Sequence, residues 1–189
     1  WSGIWRIAIA TFPALLIAFV ARHAIKERLF NPEAVTLALL VGGVAILLVE
    51  RAIAQRRSLA LDDISLTQAF GIGLFQVLAL WPGTSRAAAT IIGGMLLGLD
   101  RKGAAEFSFL IAVPVLFAAS GYELIKMRGQ LAGEDLLALA IGFVISFVVA
   151  FVTVKGFVSF LSRGRLAPFA WYRIVVSPIF YVLTRGTGL

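Results

Sequence analysis

Apolar residues fill this chain in long runs, and most polar positions fall between the runs. Ile4 to Ala21 reads as a first membrane span, with Trp1, Trp5 and Arg6 as interface anchors and Pro13 as a point of bending. Arg22-His23-Ala24-Ile25-Lys26-Glu27-Arg28 reads as a mixed-charge loop, in which His23 is a solvated residue ahead of a proton carrier. Asn31-Pro32-Glu33 opens a second span, with Asn as N-cap, Pro in the first helical position and Glu against the positive end of the dipole. That span passes Gly42-Gly43, which permits close helix approach, and ends near Val49. Glu50 to Ser65, with Arg51, Arg56, Arg57, Asp62 and Asp63, reads as an extramembrane loop whose charges are solvated.

The next apolar stretch is broken. Leu66–Leu80 and Ala87–Leu99 span roughly 22 and 20 Å as helices, short of a hydrocarbon core of about 30 Å. Between them stand Trp81-Pro82-Gly83-Thr84-Ser85-Arg86, where Pro removes an amide hydrogen and Gly weakens helical order. This pattern predicts a re-entrant helix-loop-helix that enters and leaves on one side; the alternative is a single kinked span. Ala89/Gly93 and Gly94/Gly98 offer small-residue spacings for tight packing, and Arg86 and Thr90 share a face. Gln76 serves either as a hydrogen-bonded tie between helices or as part of a site.

Three more spans follow: Ala104–Ile125 containing Pro114, Asp135–Leu161 with a snorkelling Lys155, and Pro168–Thr184. Glu106 is a counter-ion for Arg86 or Arg101, or an interfacial residue steadying its own helix start. Arg173, flanked by Trp171 and Tyr172, reads as an interface anchor ahead of a site residue. The fold class is an all-α integral membrane protein with five full spans and one re-entrant pair, divided as 1–65, 66–99 and 100–189 within one membrane domain.

Composition agrees: 60% of residues are hydrophobic and 14% charged, with a mean hydropathy of +0.97, which excludes an ordinary soluble domain. There is no Cys and one His, so neither a thiolate nor a multi-histidine metal site is expected. The net charge of +7 does not indicate nucleic acid, because the Lys and Arg lie in loops where headgroups and the positive-inside rule account for them. With the loop 50–65 as side one, that side carries Arg6, Arg51, Arg56, Arg57, Arg101, Lys102, Arg163 and Arg165. The other carries Arg22, Lys26, Arg28, Lys126, Arg128 and Arg185, which favours side one as cytoplasmic by a narrow margin.

An arginine at membrane depth wants an anion, and its planar fork matches a pair of phosphate oxygens. Free amides at the start of the second short helix, with the Thr84, Ser85 and Thr90 hydroxyls, would add neutral donors and make an oxyanion cradle. A phosphate head on a lipid tail suits the location, and a carboxylate would also suit the charge.

The sequence Trp81-Pro82-Gly83-Thr84-Ser85-Arg86 followed by Ala89-Thr90-Ile91 resembles the Pro-Gly-x-Ser-Arg-Ser-Gly-Ala-Thr motif of the undecaprenyl pyrophosphate phosphatases of the bacitracin-resistance type. The similarity extends to Phe75-Gln76-x-Leu78-Ala79-Leu80, Gly93-Gly94-Met95-Leu96 and Glu106-Phe107-Ser108-Phe109-Leu110. It implies a bacterial inner-membrane hydrolase that recycles the carrier lipid for cell-wall synthesis, an inverted-repeat fold of which this is the second half, and a divalent cation such as Mg or Ca. It also implies Ser85 and Arg86 as catalytic, and Gly83, Thr84, Ser85, Arg86, Thr90 and Gln76 as substrate-binding residues. The partners are an isoprenoid lipid diphosphate, membrane lipids and, as an option, a second copy in a homodimer.

Ala87 and Ala88 depart from the motif, standing where it has Ser and Gly. Nothing here matches the earlier Glu-rich helix and Pro-Val-Ser-Ser-Thr-Gly-His turn, thought to supply the nucleophile, base and carboxylates, so those elements are expected upstream of Trp1. A transporter or flippase of a phosphorylated lipid, and a non-catalytic membrane subunit, are the alternatives.

Overall fold

The structure, a computed structural model, describes residues 2–53, 59–127 and 133–186. Trp1, Arg56, Arg57 and Arg128 lie outside them. Seven α-helices follow one another: α1 (Ser2–Leu29), α2 (Pro32–Ile53), α3 (Leu66–Leu78), α4 (Arg86–Leu96), α5 (Arg101–Met127), α6 (Gly133–Arg163) and α7 (Ala167–Gly186). Five of these, all but α3 and α4, are long and apolar enough to cross a membrane. The chain is a multi-pass, all-α membrane protein.

One expected loop is helix instead, and a second begins later than expected. The charged segment 22–28 continues α1 to Leu29, because it holds no Gly or Pro and Arg, Ala, Lys and Glu are good helix formers. The chain turns only at Phe30-Asn31, where Pro32 disfavours a helical predecessor and Asn31 Oδ1 accepts the Ala34 N–H at 2.7 Å. His23 is exposed on that helical surface. Likewise α2 runs past Val49 to Ile53.

Glu50 is not a solvated loop residue. It is 7% exposed, and its carboxylate accepts the N–H groups of Leu166 at 2.8 Å and Ala167 at 3.0 Å, so it caps the start of α7. Arg101 pairs with it, Nε to Oε1 at 3.2 Å. Glu106 pairs with Lys102 at 3.7 Å, one helical turn away, and with neither Arg86 nor Arg101.

The broken stretch is a hairpin that enters and leaves at one end. Ser65 and Gln68 form a reciprocal capping box at the start of α3, and the Gln68 Nε2 also donates to Leu97 O at 2.8 Å, joining that start to the end of α4. Leu59 N–H donates to Gly98 O at 2.8 Å beside it. At 13 and 11 residues, α3 and α4 are about 20 and 17 Å long. The turn between them rests on Val35 and Ala38 of α2, about 5 and 9 Å inside that helix.

Small residues set the spacings. Gly43 faces Ile174 and Ala170 of α7, while Gly93 faces Phe75 of α3 and Gly94 faces Ala104 of α5, as the small-residue pattern requires. A Cβ on Gly73 would strike the backbone carbonyl of Ala10 on α1. Neither partner can swing aside, so Gly73→Ala is expected to spread α1 from α3 and cost about 1–3 kcal/mol. A fall in the unfolding midpoint in detergent checks this; an unchanged midpoint contradicts it.

Candidate functional site

The corner between α3 and α4 starts where Pro82 and Gly83 end the first helix. Gly83 has φ +90° and lies 2.7 Å, measured from the place of a Cβ, from Val35 O; any side chain there would be both strained and crowded. Ser85 has φ 34°, the one positive φ of a non-glycine among the described residues. Such a conformation costs of order 1–3 kcal/mol and persists only where its surroundings hold it. Ser85 is also the N-cap of α4, its Oγ accepting from Ala88 N–H at 3.3 Å. Among the described residues, nothing accepts from the N–H groups of Arg86 and Ala87, which point out of the first turn of α4.

The expected cradle is only partly assembled. Thr84 lines a cavity of about 650 Å³ between α1, α2, α3 and α4, walled by apolar residues such as Ile17, Leu37, Val41, Phe75 and Ile92. Ser85 lines a second cavity, of about 280 Å³, with Ile46, Phe157 and Tyr172. Arg86 lines neither: it extends toward α5 and donates from Nη1 to Ser108 O at 3.4 Å, a long bond. It is half-buried and takes part in no ion pair among the described residues.

Thr90 is fully buried, and its Oγ1 is taken up by Ser108 Oγ at 2.6 Å and by Arg86 O at 2.9 Å. It therefore fastens α4 to α5 rather than facing open space. Gln76 is 2% exposed, and neither polar atom of its amide has a hydrogen-bond partner among the described residues, so it ties none of their helices together by hydrogen bonding.

One cation reaches the corner from elsewhere. Arg173, read from the sequence as an interface anchor, is 7% exposed, and Nη2 donates to Gly83 O and to Ala38 O, each at 2.9 Å. Its aromatic neighbours Trp171 and Tyr172 are on the exposed side of α7, so the helix turns Arg173 inward and them outward. Gly42 makes this possible: a Cβ there would occupy the place of the guanidinium. Arg173 lines both cavities. The sequence signal for this is a charge inside a span; which helix that charge faces is set by packing.

The chain matches the family described as "Bacitracin resistance protein BacA" over residues 1–179. It belongs to the BacA family. An undecaprenyl-diphosphatase of Nitratidesulfovibrio vulgaris (strain DP4) is 48% identical over 179 residues, 95% of this chain and 68% of the relative. That of Solidesulfovibrio magneticus is 50% identical over 175 residues, 93% and 66% of the two chains. That of Methylococcus capsulatus is 46% identical over 190 residues, 98% and 70%. The chain thus spans about two thirds of the length of these BacA-family relatives.

Proposed function

We propose that the chain acts in the hydrolysis of undecaprenyl diphosphate to undecaprenyl phosphate, in a bacterial inner membrane, with the Pro82–Arg86 corner as the phosphate-binding element. The observation that carries this is the corner itself: a left-handed Ser85 and, among the described residues, two amides without acceptors and a guanidinium without a counter-ion, all on a helix break within the span of α2. The amides and the guanidinium are costly in a bilayer and an anionic head offsets both, while the strain at Ser85 is a steric cost that the surrounding packing must hold.

In the reaction a new bond from an oxygen nucleophile to the terminal phosphorus forms as the bond to the bridging oxygen breaks, and with water as the final acceptor the products are the lipid monophosphate and inorganic phosphate. Negative charge builds on the terminal phosphoryl oxygens and on the departing bridge oxygen. Arg86 and the Arg86 and Ala87 amides stabilise that charge, with the Ser85 hydroxyl free to donate while its oxygen caps α4. Thr84 and Gly83 shape the corner. The isoprenoid tail and membrane lipids meet the apolar helix faces. The narrow charge excess favours the α2–α3 loop as the cytoplasmic side. The corner, near the start of α2, is then closer to the outer face.

The divalent cation that the resemblance implies finds no ligand set in these residues: no group of three His, Cys, Asp or Glu comes together among those described.

The test uses purified full-length protein in detergent with undecaprenyl diphosphate. Release of inorganic phosphate in step with the monophosphate supports the phosphatase; movement of the head group across liposomes without hydrolysis replaces it with the transporter reading.

A further inference from the structure

We infer that Arg173 is a positioning residue, resting on the phosphatase reading above: it holds the carbonyl of Gly83 against α2 so that the backbone beyond Ser85 presents the Arg86 and Ala87 amides to the phosphate. The buried guanidinium spends both protons of Nη2 on carbonyls of two different elements, Ala38 in α2 and Gly83 in the corner. It is therefore a cross-brace between α7, α2 and the turn.

Three independent features point to this brace. The first is room made for it, since Gly42 is the residue whose side chain would displace the guanidinium. The second is that the corner has few other fastenings: Trp81 Nε1 donates to Ala34 O at 3.0 Å, and Thr84 N–H to Trp81 O at 3.1 Å. A residue such as Ser85, held at φ 34°, needs its neighbours fixed from outside. The third is that Arg173 keeps a buried Nε with no acceptor among the described residues, a cost set against the two carbonyl bonds of Nη2. The α7 helix is itself pinned in register, by Glu50 at its start and by Ser177 Oγ donating to Thr36 O at 2.9 Å, so the brace has a fixed footing.

A positioning role predicts a particular kinetic split. Arg173→Gln in full-length protein should lower kcat about 100-fold, the scale of a roughly 1 Å misplacement, while KM stays within about threefold. Gly42→Ala, which leaves Arg173 in the chain but pushes the guanidinium off its carbonyls, should reproduce the effect. Arg173→Lys should restore part of the rate.

Hydrogen exchange in nanodiscs decides the same point without activity. In both Arg173→Gln and Gly42→Ala, exchange at the hydrogen-bonded amides of the corner, Thr84, Ala88 and Ala89, should rise about tenfold or more, with Leu97–Leu99 at the other end of the hairpin unchanged. Unchanged exchange at the corner overturns the proposal. So does a uniform rise through α2 and α7, which would mean general loosening. A KM increase with kcat intact also overturns it, since Arg173 would then hold the lipid directly. A parent protein that releases no phosphate sinks the phosphatase reading, and the exchange result still decides the brace.

Discussion

Replacing Arg86 by alanine in the full-length protein is expected to lower phosphate release about 100- to 1,000-fold, the range for removing a preorganised donor at a developing oxyanion. The reasoning turns on how little the folded chain needs this side chain. Its sole hydrogen bond to the described residues is the 3.4 Å contact with Ser108 O, and no carboxylate pairs with it. Stability should therefore change little while the rate falls. Arg86→Lys should also cost much of the rate, because a single ammonium cannot bind two phosphoryl oxygens in the plane that a guanidinium offers. Steady-state kinetics on detergent-solubilised variants measure both, and a near-normal rate for the alanine variant would remove Arg86 from the reaction.

The opposite partition is expected at Glu50, where the effect is on folding. Glu50→Gln keeps the shape but turns an acceptor-only group into one with an N–H₂ that faces the α7 amides, and it deprives Arg101 of its partner. Breaking one member of a buried charged cluster leaves the others uncompensated. About 2–4 kcal/mol of stability should be lost, toward the low end because Arg101 is a third exposed. Thermal or denaturant unfolding in a fixed detergent reads this directly. A loss below about 0.5 kcal/mol, as for an ordinary surface pair, would show that the cap contributes nothing.

These two residues illustrate how far the sequence could be read. The break at Pro82-Gly83 was legible because both residues act on their own backbone, whatever surrounds them. The same is true of the Asn31 cap and of the five long apolar runs, whose length against a bilayer decides their fate. Glu50 was not legible: its partners, Leu166 and Ala167, lie 116 and 117 residues along the chain. A charge near the end of an apolar run looks the same whether it faces water or caps a distant helix.

Thr90 and Arg173 make the same point within the candidate site. Thr90 shares a helical face with Arg86, yet Ser108 from α5 takes its hydroxyl, so adjacency on a helix did not become adjacency in a cradle. Arg173 carries the aromatic neighbours of an interface anchor, but the packing of α7 on the glycines of α2 turns it toward Gly83.

The sequence by itself determined the membrane class, the number and order of spans, the helix break and the motif that places the chain in its family. Those properties follow from hydropathy, chain length and local backbone chemistry, which act residue by residue. Only the tertiary structure decided which polar side chains meet: Glu50 with the start of α7, Thr90 with Ser108, and Arg173 with the corner. The physical reason is that a buried polar group takes its partner from whichever helix packs against it, and helix packing is set by close approach of small residues on separate segments.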